Sequence, residues 1–168
     1  MEKKNIDWSN IGFGYMQTDK RYVSNYKDGA WDEGTLTSDA TITISECAGV
    51  LQYAQTCFEG MKAYTTEDGH IVTFRPDLNA ARMADSAARL EMPVFPEDRF
   101  VDAIKQVVAA NAAYVPPYGS GATLYVRPYM FGSVYLLHQL DHTLKAALSR
   151  LQLRFQTLTV PHRMEQVM

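Results

Sequence analysis

Two segments of helical period, each opened by a proline next to an acid, lie among segments of strand period, which restricts this chain to a mixed α and β fold. Pro76-Asp77 opens the first, where Ala80, Met83, Ala87 and Leu90 fall on one face and Pro93 sets the limit. Asp77 is placed to cap free backbone N–H groups there. Pro96-Glu97-Asp98 opens the second, with Phe100, Ile104, Val107 and Val108 as its apolar stripe. Ahead of them, Gly60 to Tyr64 and Ile71 to Phe74 flank the turn residues Asp68-Gly69 and predict a hairpin. Ala40 to Ile44 alternates as a half-buried strand does. After the loop forced by Pro116, Pro117 and Gly119, the segment from Ala122 to about Phe131 predicts a further strand. Its period puts Thr123, Tyr125, Arg127 and Tyr129 on one face, and Leu124, Val126 and Met130 on the other.

A chain of 168 residues with 46% apolar content is long enough for one ordinary core. The texture changes after Ser133. No glycine follows, and Leu137, Leu140, Leu144, Ala147 and Leu151 recur at helical spacing, so residues 134–168 are expected to be separate, helical, Leu-rich material behind a domain of residues 1–133. The net charge of −3 and the scatter of 16 basic residues argue against a nucleic-acid partner. No run reaches the roughly 18 apolar residues of a membrane span, and the polar first ten residues do not resemble a signal peptide, so a cytoplasmic location is expected. Cys47 and Cys57 are expected to be reduced, and the four histidines do not have metal-ligand spacing, so no metal is expected.

An anionic small molecule would need a guanidinium on a rigid element, since its planar fork matches carboxylate and phosphate. Arg82 and Arg127 are the candidates. Arg82 shares a polar stripe with Ser86 and Arg89, which also fits a solvated face with Asp85 and Arg89 paired. Arg127 stands in a strand apolar enough to be buried, where it needs an anionic partner, either a structural acid or a ligand. Tyr53 and Phe58 fit either core or pocket wall, and Phe13, between Gly12 and Gly14, fits either a loop-borne lid or a turn. No nucleophile elbow, phosphate-binding glycine loop or dinucleotide fingerprint is present.

Four segments in order carry a resemblance. They are Tyr53-Ala-Gln-Thr-Cys-Phe-Glu-Gly-Met-Lys-Ala-Tyr64, Phe74-Arg-Pro-Asp-Leu-Asn-Ala-Ala-Arg-Met83, Ser86-Ala-Ala-Arg-Leu90 with Met92-Pro93, and Tyr125-Val-Arg-Pro128. Together they resemble the branched-chain amino acid aminotransferases, pyridoxal-phosphate enzymes of fold type IV, from about Ile11 to Ser133. The resemblance implies an α+β two-layer small domain, with helices on one side of a mixed or antiparallel sheet. It implies amino transfer between leucine, isoleucine or valine and 2-oxoglutarate, with pyridoxal 5'-phosphate as cofactor and a homodimer as the assembly. It makes Arg82 the anchor of the cofactor phosphate and Phe13, Tyr53, Phe58 and Tyr125 the walls of the substrate side-chain pocket. Arg127 then takes the distal carboxylate of glutamate, and Tyr53 reaches across the dimer interface.

None of Lys3, Lys4, Lys20, Lys27, Lys62, Lys105 and Lys145 has the Gly-Gly-Asn-Tyr setting that follows the family's catalytic lysine. We therefore assign no catalytic residue, and expect the chain to represent an N-terminal fragment, inactive alone, with a frameshifted or prematurely ended frame after Ser133. A different class of reading is a non-catalytic α+β binding module. Related fold type IV enzymes, the D-amino acid aminotransferases and aminodeoxychorismate lyases, match the Phe58 to Tyr64 and Asn79 to Met83 wording less well.

Overall fold

A computed structural model describes residues 3–11, 16–133 and 150–161. Its centre is an antiparallel sheet built from β1 (Arg21–Lys27), β2 (Ala30–Trp31), β3 (Thr35–Thr37), β4 (Thr56–Phe58), β5 (Met61–Thr65), β6 (Ile71–Thr73), β7 (Ala122–Gly132) and β8 (Arg150–Pro161). The order across it is β2-β1-β8-β7-β5-β6, with β3 added beside β1 and β4 beside β7. Among the described residues three α-helices accompany it: the short α1 (Gly49–Tyr53), then α2 (Pro76–Arg89) and α3 (Glu97–Ala110). The expected hairpin is β5–β6, with Tyr64 opposite Val72. The helix positions follow the proline signals, although Arg75 rather than Asp77 is the N-cap of α2, and it holds a left-handed φ of 45°.

The amphipathic stripes of α2 and α3 explain the two layers. Met83 and Ala87 from α2, and Phe100, Ile104 and Val107 from α3, are buried against Met61, Ala63, Leu124, Val126 and Met130 of the sheet. Each fully buried large side chain contributes roughly 1.5–3 kcal/mol of transfer free energy. The helices therefore cover one sheet face. The face carrying Lys62, Tyr125, Arg127 and Tyr129 turns away from them, because side chains alternate along each strand.

Strand β8 corrects the expectation of a helical tail over the residues where the tail is described. Instead of standing apart, residues 150–155 pair on one side with β1, Tyr22 opposite Phe155, and residues 151–161 pair on the other with β7, Pro128 opposite Phe155. Leu153 and Phe155 are fully buried, and the Phe155 ring meets Phe100 edge-on at 5.1 Å and Tyr22 at 5.5 Å. The sheet leaves a central gap between β1 and β7, and filling it satisfies the backbone donors and acceptors of three strands at once. That requirement overrides the helical spacing that runs into Leu151. Leu137, Leu140, Leu144 and Ala147, and with them His138 and His142, lie outside the described residues.

Residues 40–44 form no strand, despite their alternation, and are mostly exposed. Two deeply buried arginines take carbonyls of the 38–41 stretch instead. Arg21 donates to Ser38 O at 2.6 Å, and Arg154 to Thr41 O at 3.0 Å. Satisfying these guanidinium groups takes the place of a strand ladder.

Candidate active-site face

The junction between β4 and β5 positions the site. Both strands pair with β7, β4 against its second half (Phe58 opposite Tyr129) and β5 against its first (Met61 opposite Val126). Pro128 lies at this junction opposite Glu59 and, having no N–H, cannot return a ladder bond to it. Its carbonyl accepts the N–H of Glu59 at 2.9 Å. Phe58-Glu59-Gly60 is thus held beside Arg127.

Three of the expected residues meet there. The Arg127 guanidinium lies 4.8 Å from the centroid of the Phe58 ring and 5.3 Å from that of Tyr125, and donates long bonds of 3.3 and 3.4 Å to the Tyr125 hydroxyl. Contrary to the expectation of burial, Arg127 is exposed, and among the described residues no carboxylate forms an ion pair with it. Aromatic faces hold it in place while its charge stays open to solvent, which is why an isolated cation is tolerated on this strand. Phe58 is 59% exposed, a large apolar surface beside a cation. A Cβ on Gly60 would meet the Tyr125 hydroxyl, so any side chain there requires the Tyr125 ring to shift.

Arg82 extends from α2 into an adjoining cleft of about 430 Å³ lined in part by Gly60, Lys62, Arg75, Asn79 and Tyr125. The fork of Arg82 is engaged by Glu59, Nε to Oε1 at 3.1 Å and Nη2 to Oε2 at 2.8 Å. Hydrogen bonding to Glu59 and its charge raise the Arg82 pKa above the ordinary arginine value. The Asp85–Arg89 pair, the alternative for a solvated face, does not form among the described residues. Arg75, at the same cleft, forks onto its neighbour Asp77 at 2.7–3.1 Å. Tyr125 is common to both regions, lining the Arg82 cleft and touching Arg127.

Tyr53 ends α1, 58% exposed, and among the described residues no hydrogen bond or ring contact joins it to Phe58, Tyr125 or Arg127. Phe13 lies outside the described residues. Glu59 and Asn79 are the participants that sequence reasoning missed. Asn79 and Arg82 are three apart on α2 and so share a face, but Glu59 is 20 and 23 residues away from them, and nothing local signals that meeting. Cys57 turns from this face toward the helices, its sulfur 3.6 Å from that of Met83. Burial, with Glu59's charge adding, pushes the Cys57 thiol up to about 11.

No family model matches the chain. Over 129 residues it is 54% identical to a branched-chain-amino-acid aminotransferase of Haemophilus influenzae, covering 77% of this chain and 38% of that protein. A branched-chain-amino-acid aminotransferase of Helicobacter pylori is 45% identical over 129 residues, with the same coverage of 77% and 38%. The fold superposes on the Escherichia coli branched-chain amino acid aminotransferase with a TM-score of 0.61 and 20% identity, covering 84% of this chain and 40% of that one. It also superposes on a T.th. branched-chain amino acid aminotransferase with pyridoxamine 5'-phosphate, with a TM-score of 0.57 and 21% identity, covering 85% and 41%. The chain thus spans 38% of the length of each of these two curated relatives. Over most of its own length it is a relative of the branched-chain-amino-acid aminotransferases, matching their N-terminal portion and sharing their fold type IV architecture.

Proposed function

We propose that the described residues provide the phosphate-binding and side-chain-binding part of a pyridoxal-phosphate-dependent transaminase site, one that moves an amino group between leucine, isoleucine or valine and 2-oxoglutarate. The observation that carries this reading is the position of Tyr125, shared between a cationic cleft at Arg82 and an aromatic–cation cluster at Arg127. A transaminase must accept an aliphatic side chain and a carboxylate in one place, and aromatic walls with one reachable cation answer both demands.

The cleft residues fit a phosphorylated cofactor. Glu59 engages two of the five N–H donors of Arg82, leaving three for an anion, and Lys62 and Arg75 add positive charge to the lining. The cofactor, when bound, supplies the electron sink for breaking the bond to the α-hydrogen. Arg82 binds its phosphate. Phe58 and Tyr125 pack against the branched side chain and displace water from it, while Arg127 receives the distal carboxylate of glutamate or 2-oxoglutarate. Exposed Tyr53 serves a neighbouring subunit of a homodimer in this reading. No lysine is assigned the covalent role. The free thiols of Cys47 and Cys57 support a reducing, cytoplasmic setting, and among the described residues no helix is long and apolar enough to cross a membrane.

A fluorescence titration of the full chain with pyridoxal 5'-phosphate tests the assignment. Arg82→Ala should weaken binding by at least about tenfold, the scale of a lost charge-assisted hydrogen bond, and change binding of phosphate-free pyridoxal little. Unchanged affinity for the phosphorylated form in Arg82→Ala would rule it out.

A further inference from the structure

The Glu59 carboxylate is only 13% exposed, yet it sits at the edge of a cleft whose other charged groups are cations. Three donors converge on it: Nε and Nη2 of Arg82, and Nδ2 of Asn79 at 2.7 Å. Asn79 is itself 5% exposed and also donates to Gly60 O at 3.3 Å. The backbone of Glu59 is fixed to β7 through Pro128. The carboxylate is therefore held by the sheet on one side and by α2 on the other.

We infer that Glu59, supported by Asn79, is a positioning residue that clamps Arg82 along its Nε–Nη2 edge and so presents the opposite, Nη1–Nη2 edge to a phosphate. This deepens the proposed function and rests on its assignment of Arg82. The chemistry follows from the shape of the guanidinium, a rigid planar fork with two usable edges, of which Glu59 occupies one. Arg82 is 57% exposed on a helix surface, and without a clamp each binding event would have to order its long side chain at an entropic cost. Glu59 also lowers the net positive charge offered to an anion. The clamp is useful only if orientation outweighs that loss, and this makes the inference testable.

The full chain is titrated with pyridoxal 5'-phosphate and with pyridoxal in four forms: unaltered, Glu59→Gln, Glu59→Asp and Arg82→Ala. Glu59→Gln keeps the shape and removes the charge, and should weaken pyridoxal 5'-phosphate about tenfold while leaving pyridoxal within about twofold. Glu59→Asp keeps a carboxylate and should recover part of the loss, which also provides a reading if the Gln variant melts at a much lower temperature by circular dichroism. Equal or tighter binding of pyridoxal 5'-phosphate by Glu59→Gln overturns the inference, because Glu59 would then compete with the ligand. Equal loss for both ligands overturns it too, because Glu59 would then only support the cleft. If Arg82→Ala weakens the phosphorylated ligand and Glu59→Gln does not, the positioning role alone fails. If neither does, the reading of Arg82 fails with it.

Discussion

The guanidinium of Arg127 rests 4.8 Å from the centroid of the Phe58 ring, so a residue of β7 and one of β4 form a single surface that is both cationic and apolar. Exposed contacts of this type are worth about 0.5–1 kcal/mol. The account predicts that Arg127→Met weakens binding of 2-oxoglutarate by about tenfold, as expected for a lost charge-assisted contact. Binding of 4-methyl-2-oxopentanoate, the 2-oxo acid of leucine, should change by less than about threefold. Calorimetric titration of both acids onto the cofactor-loaded protein checks the split. Parallel losses for both would remove Arg127 from the role of carboxylate discriminator.

Gly60 and Tyr125 make a second, steric prediction. A Cβ on residue 60 meets the Tyr125 hydroxyl first, and overpacking of this kind costs about 1–3 kcal/mol. Gly60→Ala should lower stability by that amount in urea unfolding. Adding Tyr125→Phe removes the nearest atom and should restore part of the loss. Additive destabilisation in the double variant would show that the two positions do not press on each other.

Asp32 gives a pH dependence with a definite sign. Burial alone would raise its pKa, but hydrogen bonds from the side chain and backbone of Asn25, from Ser24 and from the Gly34 N–H outweigh this and hold it below the usual carboxylate range. A carboxyl with a depressed folded pKa stabilises the fold above its unfolded value, near 3.8, and that contribution is lost as pH falls through the folded value. Thermal melts should therefore drop in midpoint between about pH 5 and pH 2.5, and Asp32→Asn should flatten this part of the profile. An identical acid profile in the variant would assign the loss to other carboxylates.

Much of this was legible from local pattern. Pro76 and Pro96 located α2 and α3, Asp68-Gly69 located the β5–β6 turn, and the alternation in β7 put Tyr125 and Arg127 on the face away from the helices. What failed depended on distant partners. Ala40 to Ile44 has a strand's alternation but no neighbouring strand, and Arg154 and Arg21 take carbonyls of the 38–41 stretch instead. Residues 151–157 also alternate, with Leu153 and Phe155 inward, but the Leu spacing before them pointed to a helix, and only the gap between β1 and β7 decides for a strand. Glu59 was invisible as a partner of Arg82 because three elements had to fold before the two met.

The most direct test of the central claim is an amide NMR titration of the full chain, first with pyridoxal 5'-phosphate and then with 4-methyl-2-oxopentanoate. The account predicts that the cofactor shifts Glu59, Gly60, Asn79 and Arg82, and that the oxo acid then shifts Phe58, Tyr125 and Arg127 on the neighbouring stretch of the same face. Shifts gathered instead at the apolar groove of Ile71, Val101, Ile104 and Val108 on the helical side, with the Arg82 cleft silent, would contradict it.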